Sequence, residues 1–487
     1  MAQLIIEKCC YILSAKPQQI KQKCSKAHIS SSAILADKDA TVTAKDVRVD
    51  GNDNVYRESI TQESKTTGLT VSFSHGLLDL GQSLSAPLSR IGEVQDDRLK
   101  AAYALQERRL IREKFGKGKN PLKGQTFSLS VSFGTSKSYS RMESTTHEYA
   151  GSRIASGRNT NVTAGERDLT VKGSAVTGNN VSLSAKGNVR LEAGENTSVT
   201  TTENKFSSAS IGASFTPQGL SNISINANKA NGNSKESVTA YSPALVSAQN
   251  NLTLTSGKDM DIIGSKAQGE KITAKVGGNL NIETLQEKEN YEEQNKSAGF
   301  GVSWSMNPVT QRLSKPTFGR DWSKGTIDSD YRSARDQAGF FAGSKGFDIY
   351  VKKNTELIGG IIGSEATADK NHLSTGTLSF SDHKNEADYR AKSVGASYRK
   401  YGDYDNMTQE QKNSVYNTIG LTPNISMPAK GDAGSTTKSA VAAGTIDIRE
   451  NPKQDISALS RDTNHALNEL GRIKLCLEAG RKYRQLS

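Results

Sequence analysis

Cysteine is almost missing from this chain, with four in 487 residues. They are Cys9, Cys10, Cys24 and Cys476, so the long stretch between has none. No spacing suits zinc, and the adjacent Cys9 and Cys10 are a poor pair for one metal. The scarcity does not indicate a reducing compartment, because continuous strand ladders need no disulfides. Long apolar runs are missing too. No segment approaches the roughly 18 apolar residues that mark a membrane-spanning helix. The start, MAQLIIEKCCYILSAK, lacks a basic n-region, and Glu7 and Lys8 interrupt its apolar run, so no signal peptide is recognisable. Aromatics make up 6%, the apolar set 34%, and the mean hydropathy is −0.59. Such values can accompany disorder. Here, however, polar residues alternate with Val, Leu and Ile, which argues for order over 124–304.

Catalytic constellations are equally scarce. His28, His75, His147, His372, His383 and His465 are dispersed, with no HExxH pair, and no G-x-S-x-G nucleophile elbow occurs. Gly264 and Gly269 have the outer spacing of a phosphate loop, but Glu270 stands where its lysine must be. Gly277–Gly278–Asn279 comes nearest to a calcium-binding nonapeptide and lacks the Asp. The expectation is no catalytic residue, no metal site and no cofactor: the chain is not read as an enzyme.

What is present is repetition. In the stretch 151–194, Asp168, Leu169 and Val171 recur twenty positions later as Asn188, Val189 and Leu191. Downstream, Leu252, Asp259, Met260 and Ile262 recur at the same offset as Ile272, Asn279, Leu280 and Ile282. Within each unit apolar residues alternate with Thr, Ser, Lys and Arg, the period of a strand with one buried face. Gly, Asn, Asp and Ser separate the runs, as turns require. Short strands with near-constant turns predict an all-β parallel β-helix, a β-solenoid of coils of about twenty residues. Leu169, Val171, Val181, Val189, Leu252, Met260, Ile272 and Ile282 are the expected core.

A second motif punctuates the coils. SKTTGLTVSFS at 64–74 is echoed at 127–134, 206–215, 296–305 and 391–400, with Phe73, Phe133, Phe215, Trp304 and Tyr398 aligned after a Ser. These read as strands or hairpins extruded from the coil, their edges covered by the solenoid. The expected order is an unmatched segment 1–30, solenoid repeats 31–74, a helical basic insertion 75–123 with its helix near 93–115, and solenoid repeats 124–304. A linker 305–335, solenoid repeats 336–400, a loop-rich segment 401–450, an amphipathic C-terminal helix 451–473 and an unmatched tail 474–487 complete it.

Charge is one-sided, with 63 Lys and Arg against 51 Asp and Glu, a net of +12. This favours anionic partners without specifying one. Much of the excess lies in 98–123, where Arg108, Arg109, Arg112, Lys114, Lys117 and Lys119 are the candidate contacts to an anionic surface. Nucleic-acid binding would want aromatics interleaved with these, and only Tyr103 and Phe115 are there.

GEVQDDRLKAAYA at 92–104, the paired GS-x-V-x-G units of 151–194, DQAGFFAGSKGFDI at 336–349 and TTKSAVAAGTIDIRENPKQDISALSRD at 436–462 are similar to a known family. They resemble the haemagglutinin-repeat region of filamentous haemagglutinins and contact-dependent growth-inhibition effectors, exported by two-partner secretion in Gram-negative bacteria. The resemblance implies a non-catalytic filament or stalk segment of a secreted, cell-surface adhesin that carries a C-terminal toxin to neighbouring cells. Its implied partners are an outer-membrane two-partner transporter and a cell-surface receptor, anionic glycan or lipopolysaccharide. No specific nucleic acid is implied, and membranes only by association with the target cell. Secretion and toxin modules are not seen, so a truncated segment is expected. The alternatives are a basic nucleic-acid- or polysaccharide-binding protein, or an intact toxin.

Overall fold

A computed structural model describes residues 24–74, 128–216, 219–307, 310 and 312–464. These are almost all β. The chain begins with Cys24–Ser30 (β1), Ala33–Ala36 (β2) and Asp39–Asp50 (β3), departs in Asn52–Ser74 (β4) and comes back in Ser128–Ala150 (β5). Short strands follow: Arg153–Ser156 (β6), Asn159–Ala164 (β7), Leu169–Lys172 (β8), Ala175–Ala185 (β9) and Val189–Glu192 (β10). A long hairpin, Gly194–Thr216 (β11) and Gly219–Ser242 (β12), leads to Leu245–Ser256 (β13), Met260–Ile263 (β14), Lys266–Gly269 (β15), Lys271–Val276 (β16) and Leu280–Glu283 (β17). Another pair of long strands, Gln286–Ser305 (β18) and Thr317–Ala334 (β19), precedes Gly339–Ala342 (β20), Phe347–Ile358 (β21), Ile361–Ser364 (β22) and His372–Ser381 (β23). The chain then runs through His383–Lys400 (β24), the short helix Gln409–Val415 (α1), Gly420–Ile425 (β25), Ala429–Thr437 (β26), Ala440–Val441 (β27) and Thr445–Ile448 (β28).

The short strands form one 19-stranded sheet whose pairings are parallel, and they fall into three ladders. Along the first, Ile34, Ile154, Val176, Val246, Ala267, Phe340, Ile362 and Val441 are successive partners. Along the second, Val42, Val162, Leu183, Leu254, Ala274, Ile349, Leu373 and Ile446 follow one another. Along the third come Val49, Val171, Leu191, Ile262, Ile282, Leu357 and Phe380. Residues of all three belong to one hydrophobic core. Seven of the eight residues expected to be buried are 0% exposed and Val181 is 1%. Each Val or Leu so placed contributes about 1.5–3 kcal/mol relative to an exposed position.

Between ladders, polar side chains repeat as regularly as the core. The Asn188 N–H donates to Asp168 Oδ1 at 2.7 Å, and that of Asp259 to Asn188 Oδ1 at 3.1 Å. The Asn279 N–H donates to Asp259 Oδ1 at 2.7 Å, and that of Asn354 to Asn279 Oδ1 at 3.3 Å. A second such column links Asp39, Asn159, Asn180 and Asn251. The corner from the third ladder back to the first is also repeated. Its first residue is Ser31, Gly173, Gly264 or Gly359, with φ of 44°, 49°, 55° and 58°. Three of the four are glycine because a left-handed residue penalises a Cβ.

The long strands form a separate nine-stranded sheet in the order β4, β5, β11, β12, β18, β19, β24, β25, with β26 also on β24. All its pairings are antiparallel. The arithmetic of the chain explains the arrangement. Between β5 and β11 the chain visits each ladder twice, and it does so again between β12 and β18 and between β19 and β24. Each visit to the three ladders therefore supplies one strand to the antiparallel sheet, so both sheets advance at the same strand spacing, about 4.8 Å.

Four sequence expectations change. The stretch 305–335 is not a linker, since Thr317–Ala334 is a full strand paired on both sides. The 401–450 stretch holds α1 and four strands rather than mostly loop. Residues 451–462 are not helical. They lie on the last strands, with Leu459 only 3% exposed, Ser460 bridging Ala440, and Gln454 donating to the Leu378 carbonyl at 2.6 Å. That segment satisfies carbonyls at the end of the stack, which a helix would leave open. Lastly, the extruded strands are covered by one another and not by the short-strand sheet. The helix expected near 93–115 lies outside the described residues.

Candidate surface-contact site

The six basic residues expected to touch an anionic surface, Arg108, Arg109, Arg112, Lys114, Lys117 and Lys119, lie outside the described residues. They belong to the connection between β4 and β5. The two strands it joins lie at one edge of the antiparallel sheet, whose two faces differ sharply in composition.

Partners across an antiparallel sheet share a face, and alternate residues along a strand change face. One line of partners reads Leu69, Phe133, Ile211, Ile225, Val302 and Phe318. The neighbouring line on the same face holds Val71, Val131, Ala213, Ile223 and Trp304. Leu69 is 65% exposed and Phe133 54%. The opposite face carries Ser, Thr, Gly and Asn at the corresponding lines, such as Thr70, Ser132, Gly212, Ser224 and Ser303. The Ser130 and Ser214 hydroxyls meet there at 2.8 Å. The recurrent Ser–aromatic motif thus marks a single face. Phe133, Phe215, Trp304 and Tyr398 fall on neighbouring lines of it, and Ser sits on the other side.

Closer to the short-strand sheet, the same face becomes charged. An open groove of about 710 Å³ is lined by Arg141, Glu143, Glu203, Lys235, Glu292 and Asp328 among others. Within it Arg141 forms an ion pair with Glu143, and Glu203 is engaged by Lys205 beside it. Arg141 donates a hydrogen bond to Glu143, and that bond and the carboxylate charge raise the guanidinium pKa. At the foot of the sheet, the Tyr149 hydroxyl accepts the Gly51 N–H at 2.7 Å, and burial pushes its phenol pKa up. Burial likewise raises Tyr241 and Asp261, the latter opposed by Arg190 at 3.5 Å.

Among the described residues, no group of three or more His, Cys, Asp and Glu is arranged to hold a metal ion. No described helix is long and apolar enough to cross a membrane. Gly264, one end of the phosphate-loop spacing, turns a left-handed corner, and Gly269 ends β15 beside Leu252. Sequence reasoning located the aromatic motif but not the amphipathic sheet it belongs to. The alternation in β11 and β18 was the available signal.

Comparison with known proteins supplies the remaining evidence. The family model described as hemagglutinin repeat matches residues 131–298. A tRNA nuclease CdiA of Yersinia mollaretii is 36% identical over 92% of this chain and 15% of its own length. A toxin CdiA of Escherichia coli is 31% identical over the same shares, 92% and 15%. A deoxyribonuclease CdiA of Yersinia pseudotuberculosis is 30% identical over 91% of the chain and 42% of itself. The chain therefore spans about 15% of the length of the first two relatives. No solved structure matches. Residues 131–298 are a hemagglutinin repeat domain, and the chain is homologous over most of its length to the CdiA toxin proteins.

Proposed function

We propose that the three ladders wrap one core as a parallel β-helix, and that the chain is a non-catalytic stalk segment of a longer, secreted haemagglutinin-type protein. The observation that carries this is the matched advance of the two sheets, two visits to the ladders for every long hairpin. Such a unit stacks on itself, grows in one dimension and needs no pocket. Relatives named tRNA nuclease and deoxyribonuclease are matched over only 15% and 42% of their own length, so their named chemistry has room outside the matched part. In the longer protein this segment would separate a toxin from the producing cell and bring it to a neighbour, after export by a two-partner transporter. Its own contact is with an anionic component of a cell surface, in keeping with the net charge of +12. Arg108, Arg109 and Arg112 in the basic insertion 75–123 are proposed to contribute.

The test is binding of the purified chain to intact Gram-negative cells across a salt series, beside a nuclease assay. Electrostatic contact should weaken steeply between 0.1 M and 1 M salt, as the screening length falls from about 10 Å to about 3 Å. Charge reversal at Arg108, Arg109 and Arg112 should weaken it further. Salt-insensitive binding would point to an apolar receptor site instead. Turnover of nucleic acid by the pure protein would end the non-enzymatic reading.

A further inference from the structure

Between the apolar lines and the mixed-charge groove, the antiparallel sheet carries a line of lysines. Lys65 on β4 is paired with Lys137 on β5, and Lys296 on β18 with Lys324 on β19. Lys229 on β12 lies in the same cross-strand line as Lys65 and Lys137, through Ser207. Lys205 on β11 lies in the same line as Lys296 and Lys324, through Asn231. These two lines are two residues apart along each strand, so all six side chains share one face. Six adjacent strands each contribute one lysine, and all six are exposed. At about 4.8 Å per strand the series crosses the sheet over roughly 24 Å.

This placement is unfavourable for the protein alone. Like charges directly opposite one another on neighbouring strands destabilise a sheet, and the line contains two such pairs. The acids near it on this face are Glu63 and Glu203, and Glu203 is engaged by Lys205. An external anion with charges recurring at the strand spacing would relieve the repulsion along the whole line.

We propose that Lys65, Lys137, Lys205, Lys229, Lys296 and Lys324 form a binding line for a linear acidic polysaccharide. This deepens the surface-contact reading and rests on it. A polysaccharide fits better than a single-stranded nucleic acid, which needs a series of stacking rings along its path. Tyr139 lies in the line beneath the Lys205 ammonium, 5.3 Å from it. Trp322, 52% exposed, stands in the Lys65 line at its far end, where one indole can stack on one sugar ring.

The test uses the full chain on resins bearing dextran sulfate, polygalacturonate, neutral dextran or single-stranded DNA. Retention is expected on the acidic polysaccharides and not on neutral dextran, and a preference between the two assigns sulfate or carboxylate as the source. The combination Lys137→Gln, Lys229→Gln, Lys296→Gln and Lys324→Gln should elute at NaCl lower by about 0.1 M or more, because ionic retention scales with the charges engaged. Neutralising four exposed lysines on the short strands and their turns, Lys186, Lys258, Lys275 and Lys352, should move elution far less. Coincident elution of the parent and the first variant, or stronger retention on DNA than on either polysaccharide, overturns the proposal. Whole-cell binding separates the two readings. If the parent ignores cells while the line still governs retention, surface contact fails and the line stands. If parent and variant bind cells alike and elute alike, the line fails alone.

Discussion

At the scale of single residues, neighbours in sequence have opposite duties. Val189 is 0% exposed and stacked between Leu169 and Met260, whereas the next residue, Arg190, points outward toward Asp261. Val189→Asp would bury a carboxylate without a partner, at a cost of several kcal/mol. Arg190→Ala should change stability by under about 0.5–1 kcal/mol, the range of an exposed ion pair. Equal thermal shifts for the two variants would refute the facing. Asp261 itself offers a pH test. Burial raises its pKa in the folded state, with Asp259 and Glu192 pushing the same way and Arg190 opposing. A carboxyl raised on folding stabilises most below its unfolded pKa and loses that contribution as pH rises through the folded value. Asp261→Asn should therefore raise the melting temperature relative to the parent at pH 7, and by less at pH 4. A difference independent of pH would rule this out.

At the scale of elements, the corner from the third ladder to the first is the most constrained piece. Gly173 has φ of 49°, and a Cβ there would sit 2.5 Å from Tyr149 Cε1. Gly173→Ala should cost about 1–2 kcal/mol from backbone conformation alone, and more from the ring contact. Ser31 occupies the equivalent corner, but its hydroxyl donates to the Ala150 carbonyl at 3.0 Å and accepts the Asn52 N–H at 2.9 Å. Ser31→Gly exchanges those bonds for relief of strain, so its urea midpoint should stay near that of the parent. A Gly173→Ala midpoint as close to the parent would contradict the corner argument. The corners and ladders were legible because a buried column needs Val, Leu or Ile at every turn, which is how Leu169, Val189, Met260 and Leu280 betrayed a period of twenty. The strand β19 was not legible. It lies in a sheet whose middle is exposed on both faces, so Asp321, Lys324, Asp328 and Asp330 are tolerated there and read as a linker. The lysine line was hidden for a related reason. Its members sit on six strands separated by long connections, and only the pairing register brings them together.

At the scale of the molecule, the two sheets are locked by counting. Every visit to the three ladders lifts the chain by one strand spacing, and every long strand fills one place in the antiparallel sheet. Removing 151–242 would delete two visits, β6 to β10, together with one hairpin, β11 and β12. Ala150 and Ser242 each stand three residues before the next first-ladder strand, at Arg153 and Leu245. The join of Ala150 to Pro243 would thus preserve phase, with β5 meeting β18 and β3 meeting β13 and β14. Removing Gly173–Glu192 alone would delete one visit and no long strand. Then β5 and β11 would leave from the same level, and every later long strand would sit about 4.8 Å out of step with its root. The larger deletion should melt in one cooperative transition within a few degrees of the parent, as loss of a whole unit does in a stacked repeat. The smaller should melt far lower or without cooperativity, although fewer residues are lost. Circular dichroism melts of the two deletions decide it. If the single-visit deletion proves as stable as the two-visit one, the sheets are not coupled by count, and the stack cannot be extended by the unit identified above.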